Sequence, residues 1–244
     1  MSVHWYSYPD PPAAAEAAAR HTLTLLDAAL AGKERATFAI SGGSTPELLF
    51  EALARARYRW ERVHLFWADE RAVPAADPQS NYRLAVESFL RPAHIPQRNA
   101  HRIQGEITPE RAAEHYSEDI RRFFGLDDGE LPHFDLIQLG MGPDAHTASL
   151  FPGSPLIDDR EGIAAAVCAP KPPPWRITLL PGVLLAARHT IFLVSGEDKA
   201  EAVRAVFQDE YDPLRLPAQV VSHHGRSVSW FLDDAASHPL RESR

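Results

Sequence analysis

The most constraining feature of this sequence is a recurring unit, in which a short apolar run ends in a polar or glycine-containing turn. Four such runs occur, at Thr37–Ile40, Val63–Trp67, Phe134–Leu139 and His189–Val194. A helical spacing of apolar residues follows three of them, at Leu48–Leu53, about Ser80–Leu90 and about Glu197–Phe207. Strands that alternate with helices at this spacing favour parallel pairing with both faces of the sheet covered. We therefore predict an α/β fold with an open, mainly parallel, Rossmann-like sheet and helices on both faces.

Further elements lie outside these units. Asp10-Pro11-Pro12, followed by an alanine-rich stretch to Leu30, predicts a capped helix that ends at Gly32. Ser227–Leu232 predicts a late strand before a polar tail. Cys168–Trp175 contains four prolines among eight residues and predicts a stiff, extended surface loop. Because no repeat or linker interrupts the pattern, we expect residues 1–244 to form a single α/β domain.

Composition limits the partners that this chain can have. The chain carries 25 Lys and Arg against 33 Asp and Glu, a net charge of −8, and no basic run, which excludes a general nucleic-acid or anionic-membrane binder. Cys168 is the single cysteine, so neither an internal disulfide nor a cysteine-based zinc site is expected. No apolar run approaches the roughly 20 residues that span a bilayer. We therefore expect a cytoplasmic protein.

The turns that follow the predicted strands are the first indication of function, because ligands bind beyond the carboxyl ends of strands in an open parallel sheet. Ser41-Gly42-Gly43-Ser44-Thr45-Pro46 combines two glycines with three hydroxyl side chains and a proline at the predicted first helical position. Its amides at a helix N-terminus suit a phosphate, although an ordinary capped turn has the same composition. It is neither a Walker loop nor a nucleophile elbow.

The turns after the other strands carry charged groups. Asp69-Glu70-Arg71 follows the second strand, where an acid could hold the Arg71 guanidinium in place for a phosphate or carbonyl oxygen. His146 lies two residues beyond Asp144, at the start of a predicted short helix, and an imidazole beside a carboxylate suits a general base. Lys199, after the fourth strand, could bring a cation to the same edge. Taken alone, each of these groups is more often a solvated or structural residue than a functional one.

Two ligand classes are not expected. Gly140, Gly142 and Ala145 fit a dinucleotide fingerprint, but this turn is in mid-chain and places Asp144 where a pyrophosphate would lie. No His-Glu-x-x-His or comparable spacing occurs, so no metal is expected.

Seven stretches, in order along the chain, resemble the 6-phosphogluconolactonase family. They are Ser41–Pro46, Trp67–Pro74 with Ser80–Tyr82, Gly140–Gly142, His146–Gly153, Arg176–Leu179 and Gly196–Ala200. The resemblance implies hydrolysis of 6-phosphogluconolactone to 6-phosphogluconate in the pentose phosphate pathway without metal or cofactor. It also implies a parallel sheet of the kind shared with glucosamine-6-phosphate deaminase and ribose-5-phosphate isomerase.

The resemblance also implies roles for individual residues. His146 falls on the family's catalytic histidine, which activates a water to attack the lactone carbonyl, with Asp144 as the candidate that orients it. Arg71 and Lys199 fall on cationic substrate contacts, one facing the phosphate and the other the oxyanion, in an order left open. The phosphate cradle falls on the backbone of Gly42, Gly43, Ser44 and Thr45, with Asp69 and Arg176 as further candidates at the anion site.

The chain departs from the family at three positions. Ala145 stands where the family usually has glycine, which matters if that position takes a positive φ. Leu180 and Leu185 stand where threonine and asparagine are usual, in a loop expected near the site.

Two other functions are kept as alternatives. One is a sugar-phosphate deaminase or isomerase on the same fold, although Thr147–Pro152 has the lactonase-like form and lacks the acid expected of a deaminase. The other is a non-catalytic sugar-phosphate sensor that retains the pocket without turnover.

Overall fold

The structure is a computed structural model that describes residues 2–242. Its strands are β1 (Ser2–Tyr8), β2 (Ala36–Ile40), β3 (Val63–Trp67), β4 (Asp69–Arg71), β5 (Ala100–His101), β6 (Leu136–Leu139), β7 (Ala164–Cys168), β8 (Trp175–Leu179), β9 (His189–Val194) and β10 (Ser227–Asp233). Its α-helices are α1 (Pro11–Ala31), α2 (Ser44–Arg55), α3 (Asn81–Ala85), α4 (Pro109–Phe124), α5 (Pro181–Ala186), α6 (Ala200–Gln208), α7 (Ala218–His224) and α8 (Asp234–Glu242).

Seven strands form one parallel sheet in the order β1-β10-β9-β6-β2-β3-β5. Every residue of β2 and of β6 is buried, including those that alternate between the two faces of the sheet. Such continuous burial requires cover on both faces, so the α/β fold with a mainly parallel sheet is confirmed. The apolar runs form these strands because their side chains are buried on both faces of the sheet.

A second, three-stranded antiparallel sheet, in the order β4-β8-β7, was not predicted. Its first strand is Asp69-Glu70-Arg71, whose polar sequence reads as a surface loop. Asp69 and Glu70 are nevertheless buried, because loop residues from other parts of the chain satisfy their carboxylates. Strand β4 directly follows β3 in the chain, and its pairing with β8 brings Arg176 opposite Arg71.

Local predictions differ from the structure in four places. The third predicted strand begins at Leu136 rather than Phe134, and the helix expected over about Ser80–Leu90 is the short α3 followed by a π-helical turn at Val86–Leu90. The expected polar tail is α8 as far as it is described. The short helix expected after His146 is wrong, because that segment consists of turns and an isolated bridge between Thr147 and Leu150.

The helix predicted from Asp10-Pro11-Pro12 is confirmed. An Asp10 side-chain oxygen accepts a hydrogen bond from the Ala13 amide at 2.8 Å, and the helix is capped at Gly32. Over residues 2–242, no helix combines the length and the apolar character that crossing a bilayer requires.

Candidate active site

A cleft of about 530 Å³ opens where the loops after β2, β3, β6 and β9 meet. Nine of the ten residues predicted for the site line it, namely Gly42, Gly43, Ser44, Thr45, Asp69, Arg71, His146, Arg176 and Lys199. The tenth, Asp144, lies against His146. The cleft is also lined by residues for which the sequence predicted no role, among them Lys171, Phe151 and Ser195.

The glycine-containing turn delivers the N-terminus of α2 to this cleft. Gly43 has φ +117°, a conformation that a side chain would strain, and a Cβ at Gly42 would lie 2.0 Å from Oδ1 of Asn81. The helix begins at Ser44, so Pro46 is its third residue and not its first, as the sequence suggested. First-turn amides have no acceptor within their own helix, so they are suited to an anion.

Glu70 and Asp69 organise the loops around the cleft. Glu70 accepts hydrogen bonds of 2.7 Å from the amides of Arg71, Asn81 and Tyr82. Burial raises the pKa of Glu70, and these donors partly oppose that rise. Asp69 accepts a 2.7 Å hydrogen bond from the hydroxyl of Ser149.

The Arg71 guanidinium is held differently from the expectation. Neither neighbouring acid binds it; instead, Nη1 donates to the main-chain oxygen of Gln79 at 2.5 Å. The expectation that an adjacent acid fixes this guanidinium is therefore wrong, since Glu70 is directed at backbone amides. Arg71 also lines the cleft, and its guanidinium makes no other hydrogen bond within residues 2–242, so its remaining donors can face a ligand.

His146 and Asp144 form a hydrogen-bonded pair. Nδ1 of His146 lies in a short hydrogen bond with Oδ1 of Asp144, and the imidazole stacks on Phe151 with ring centroids 4.5 Å apart. Burial opposes the charge on Asp144, but the hydrogen bond from His146 and the charges of His146 and Lys171 outweigh it and lower the pKa of Asp144 to about 2. A carboxylate on Nδ1 fixes the tautomer that leaves Nε2 as an acceptor.

Arg176 and Arg71 are directly opposite each other in the β4–β8 pair. Arg176 is only 5% exposed; Nη2 donates to the oxygen of Pro172 at 3.3 Å, while Nε has no partner within residues 2–242. Burial lowers the pKa of Arg176, and the charge of Arg71 lowers it further. Like charges in opposing positions destabilise a sheet unless an anion joins them.

Two lysines line the cleft from different sides. Lys199 follows Gly196 and pairs with Asp198. Lys171 comes from the proline-rich loop, and its Nζ lies 3.7 Å from Oδ2 of Asp144. The sequence did not predict Lys171 as a site residue, because the prolines predict a stiff loop but not the direction in which its side chains point. A signal was present in the composition, since only three of the 25 basic residues are lysine and two of them line this cleft.

Comparisons with known proteins identify the family of this chain. A sequence model of the family described as glucosamine-6-phosphate isomerases/6-phosphogluconolactonase matches residues 9–230. The chain belongs to this family. It is 38% identical over 219 residues to the 6-phosphogluconolactonase of Synechocystis sp., covering 89% of this chain and 90% of that protein. It is 41% identical over 217 residues to the human 6-phosphogluconolactonase, covering 84% and 82%.

Solved structures of family members have the same fold. The 6-phosphogluconolactonase of Trypanosoma brucei aligns with a TM-score of 0.88 at 27% identity, covering 98% of this chain and 99% of that one. A monomeric glucosamine-6-phosphate deaminase aligns with a TM-score of 0.81 at 20% identity, which shows a shared fold alone.

The three positions that depart from the family pattern have different surroundings. Ala145 is fully buried and has φ +60°, so this position does take a left-handed conformation. Leu180 is buried before α5, and Leu185 packs against the core; neither lines the cleft. The leucines therefore leave the described lining of the cleft unchanged.

Proposed function

We propose that this chain is a hydrolase that opens 6-phosphoglucono-1,5-lactone to 6-phosphogluconate, the reaction of the pentose phosphate pathway for which its family relatives are named. The observation that carries the proposal is the His146–Asp144 pair in a cleft that also holds Arg71, Arg176 and Lys199. The ligand implied by this arrangement has an anionic group and an electrophilic carbon within one small molecule.

The phosphate of the substrate is proposed to bind between the first turn of α2 and the two arginines. Arg71 and Arg176 lie opposite each other on the paired strands β4 and β8, and Nε of Arg176 is buried without an acceptor within residues 2–242. A phosphate dianion would remove both costs, because it screens the two charges and accepts from the unpaired donor. The amides of Gly42–Thr45 supply further donors, and Lys199 is proposed as an additional cationic contact.

His146 is proposed as the general base. Nε2 takes a proton from water while the water oxygen bonds to the lactone carbonyl carbon, and the carbonyl electron pair moves onto oxygen. The tetrahedral intermediate then collapses with cleavage of the bond between this carbon and the ring oxygen, which receives the proton from His146 and leaves as a hydroxyl. Asp144 holds Nδ1 and stabilises the imidazolium between these two steps.

The test is a pH-stat measurement of acid release from 6-phosphogluconolactone, corrected for spontaneous hydrolysis. We expect the wild-type protein to accelerate hydrolysis, and His146→Ala to lower kcat by about 10²- to 10⁴-fold. The exposed His115 provides the control, since His115→Ala should retain the wild-type rate. Wild-type protein that binds the phosphosugar without turnover would refute catalysis, and ammonia release from glucosamine 6-phosphate would instead support a deaminase.

We also propose that residues 1–244 act as a single domain in the cytoplasm. The cleft is lined from Ser41 to Lys199, and the sheet that supports it pairs β1 with β10. A single exposed cysteine suits a reducing compartment. Limited proteolysis tests the single domain, because an intact domain should resist cleavage between its strands. Cell fractionation tests the cytoplasmic location.

A further inference from the structure

Lys171 shares both of its close neighbours with His146. Its Nζ lies 3.7 Å from Oδ2 of Asp144 and 5.2 Å from the centre of the Phe151 ring. His146 uses the other oxygen of the same carboxylate and stacks on the same ring. The ammonium group of Lys171 is therefore held beside the proposed base and lines the cleft.

Each of the other cations of the cleft makes at least one hydrogen bond with the protein. Arg71 and Arg176 lie together on the β4–β8 pair and donate to the oxygens of Gln79 and Pro172. Lys199 makes a short contact with Asp198. By contrast, Nζ of Lys171 has no hydrogen bond within 3.5 Å in the part of the chain that the structure describes, so its three protons remain available.

The backbone that carries Lys171 is held in place at both sides. The amide of Ala169 donates to the oxygen of Pro174 at 2.6 Å, which closes the loop, and Arg176 donates to the oxygen of Pro172. Prolines at positions 170, 172, 173 and 174 restrict the backbone further. A cation on such a loop needs little reorganisation when charge develops beside it.

We propose that Lys171 is a further catalytic residue, whose ammonium group donates a hydrogen bond to the lactone carbonyl oxygen as that oxygen becomes an oxyanion. This inference rests on the proposed lactone hydrolysis. Water adds to the carbonyl carbon as His146 takes its proton, and the negative charge that forms on oxygen is stabilised by Nζ of Lys171. When the ring carbon–oxygen bond breaks, the carbonyl re-forms and Lys171 keeps its proton throughout. The phosphate is then left to Arg71, Arg176 and the α2 amides.

The test compares steady-state kinetics of Lys171→Met and Lys171→Arg with wild type, with kcat taken on the pH plateau. We expect Lys171→Met to lower kcat by about 10- to 100-fold and to change KM by less than about threefold, because the interaction forms in the transition state. Lys171→Arg should recover part of kcat, since it restores a cationic donor. The side chain is 43% exposed, so both variants should fold, and melting temperatures verify this.

Lys33→Met is the matched control, because Lys33 pairs with Asp135 and does not line the cleft. It should leave kcat unchanged. An unchanged kcat in Lys171→Met overturns the inference, and so does a KM raised more than tenfold at constant kcat, which would assign Lys171 to the phosphate. If wild-type protein fails to accelerate hydrolysis, the proposed function itself falls, and this failure is visible before any variant is made.

Discussion

Gly142 is the residue on which the geometry of the proposed base depends. A Cβ built at this position would lie 2.1 Å from Nδ1 of His146 and 2.5 Å from Oδ1 of Asp144. Its amide also donates to the main-chain oxygen of His146 at 3.0 Å, which closes the loop. The glycine is required by space rather than by its backbone angles, since the positive φ in this loop belongs to Ala145 and Ala148.

Gly142→Ala is therefore expected to lower activity more than stability. The added methyl group displaces the imidazole from the carboxylate, and a base misplaced by about 1 Å can lose about 100-fold in rate. Measurement of kcat and of the melting temperature separates the two effects. Gly32→Ala is the control, because nothing lies within 4 Å of a Cβ there; a Gly142→Ala enzyme with wild-type kcat would contradict the loop geometry described above.

At this scale the sequence predicted that His146 and Asp144 lie together but did not predict which residues surround them. The spacing of Asp144 and His146 is local, so it is visible in the chain. The contacts of Lys171 and Phe151 with this pair join different loops, and no short-range pattern encodes them. The roles of these residues stay predictions until the variants are measured.

Among the elements, the pairing of β4 with β8 is the one that joins structure to the anion site. It places Arg71 opposite Arg176. Within residues 2–242, the hydrogen bonds of both guanidinium groups go to main-chain oxygens and not to a carboxylate. Such an arrangement costs stability in the absence of a ligand and gains it when an anion binds. The two arginines therefore favour anion binding at the expense of the stability of the ligand-free protein.

Arg71→Met should accordingly weaken binding without weakening the fold. We expect KM to rise by at least about tenfold, since charge-assisted bonds to phosphate are lost, while the melting temperature of ligand-free protein stays equal or rises. Inorganic phosphate should raise the melting temperature of wild type more than that of the variant. Arg122→Met, at an exposed site on α4, is the control; a lower melting temperature with unchanged KM in Arg71→Met would refute the pairing argument.

A second prediction concerns the contact between β3, β5 and α4. Nδ1 of His64 lies 3.0 Å from Nε2 of His101, whose Nδ1 lies 3.0 Å from Oδ2 of Asp119. Burial, together with the charges of His101, Arg35 and Arg98, lowers the pKa of His64 from 6.5 to about 4. Between these values the unfolded chain binds more protons than the folded one, so stability is full above pH 6.5 and decreases as the pH falls towards 4.

His64→Leu should flatten part of this decrease. Melting temperatures measured from pH 7 to pH 4 provide the test, and the slope rather than the absolute value is compared, because the variant also loses a hydrogen bond. His115→Leu should keep the wild-type slope. Equal slopes in wild type and His64→Leu would show that other groups account for the acid sensitivity.

Strands β2, β3 and β9 were predicted because each contains a buried apolar run, whereas β4 was missed because distant partners bury its polar residues. The bounds of β3 and β9 agree with the sequence prediction, because most residues of each run are apolar and buried. Strand β4 was missed because the burial of Glu70 depends on amides eleven and twelve residues away. The turns after His146 were taken for a helix because local spacing alone does not distinguish the two.

The whole molecule carries a net charge of −8, yet its cleft holds four cations. We expect the net charge to repel a substrate with a phosphate dianion at long range, and the proposed contacts with Arg71, Arg176 and Lys199 to attract it at short range. Screening acts over about 8 Å at physiological ionic strength, so contact charges dominate there.

Added salt is therefore expected to raise KM. Between about 50 and 500 mM sodium chloride, contacts with the phosphate weaken while the long-range repulsion is already screened, so KM should rise several-fold. Kinetics with a lactone that lacks the phosphate provide the comparison, since its KM should not depend on salt. A KM that falls with salt would mean that the net charge governs capture.

The pairing of β1 with β10 sets the order in which this molecule can be completed during synthesis. Residues 2–8 pair with residues 227–233 in parallel register at the edge of the sheet. At about 5–20 residues per second, a ribosome needs roughly 10–45 s to make the intervening chain. Strand β1, which contains Trp5, Tyr6 and Tyr8, is therefore synthesised well before β10, the strand with which it pairs. The edge strand β1 can therefore be added to the sheet only after nearly the whole described chain has been made.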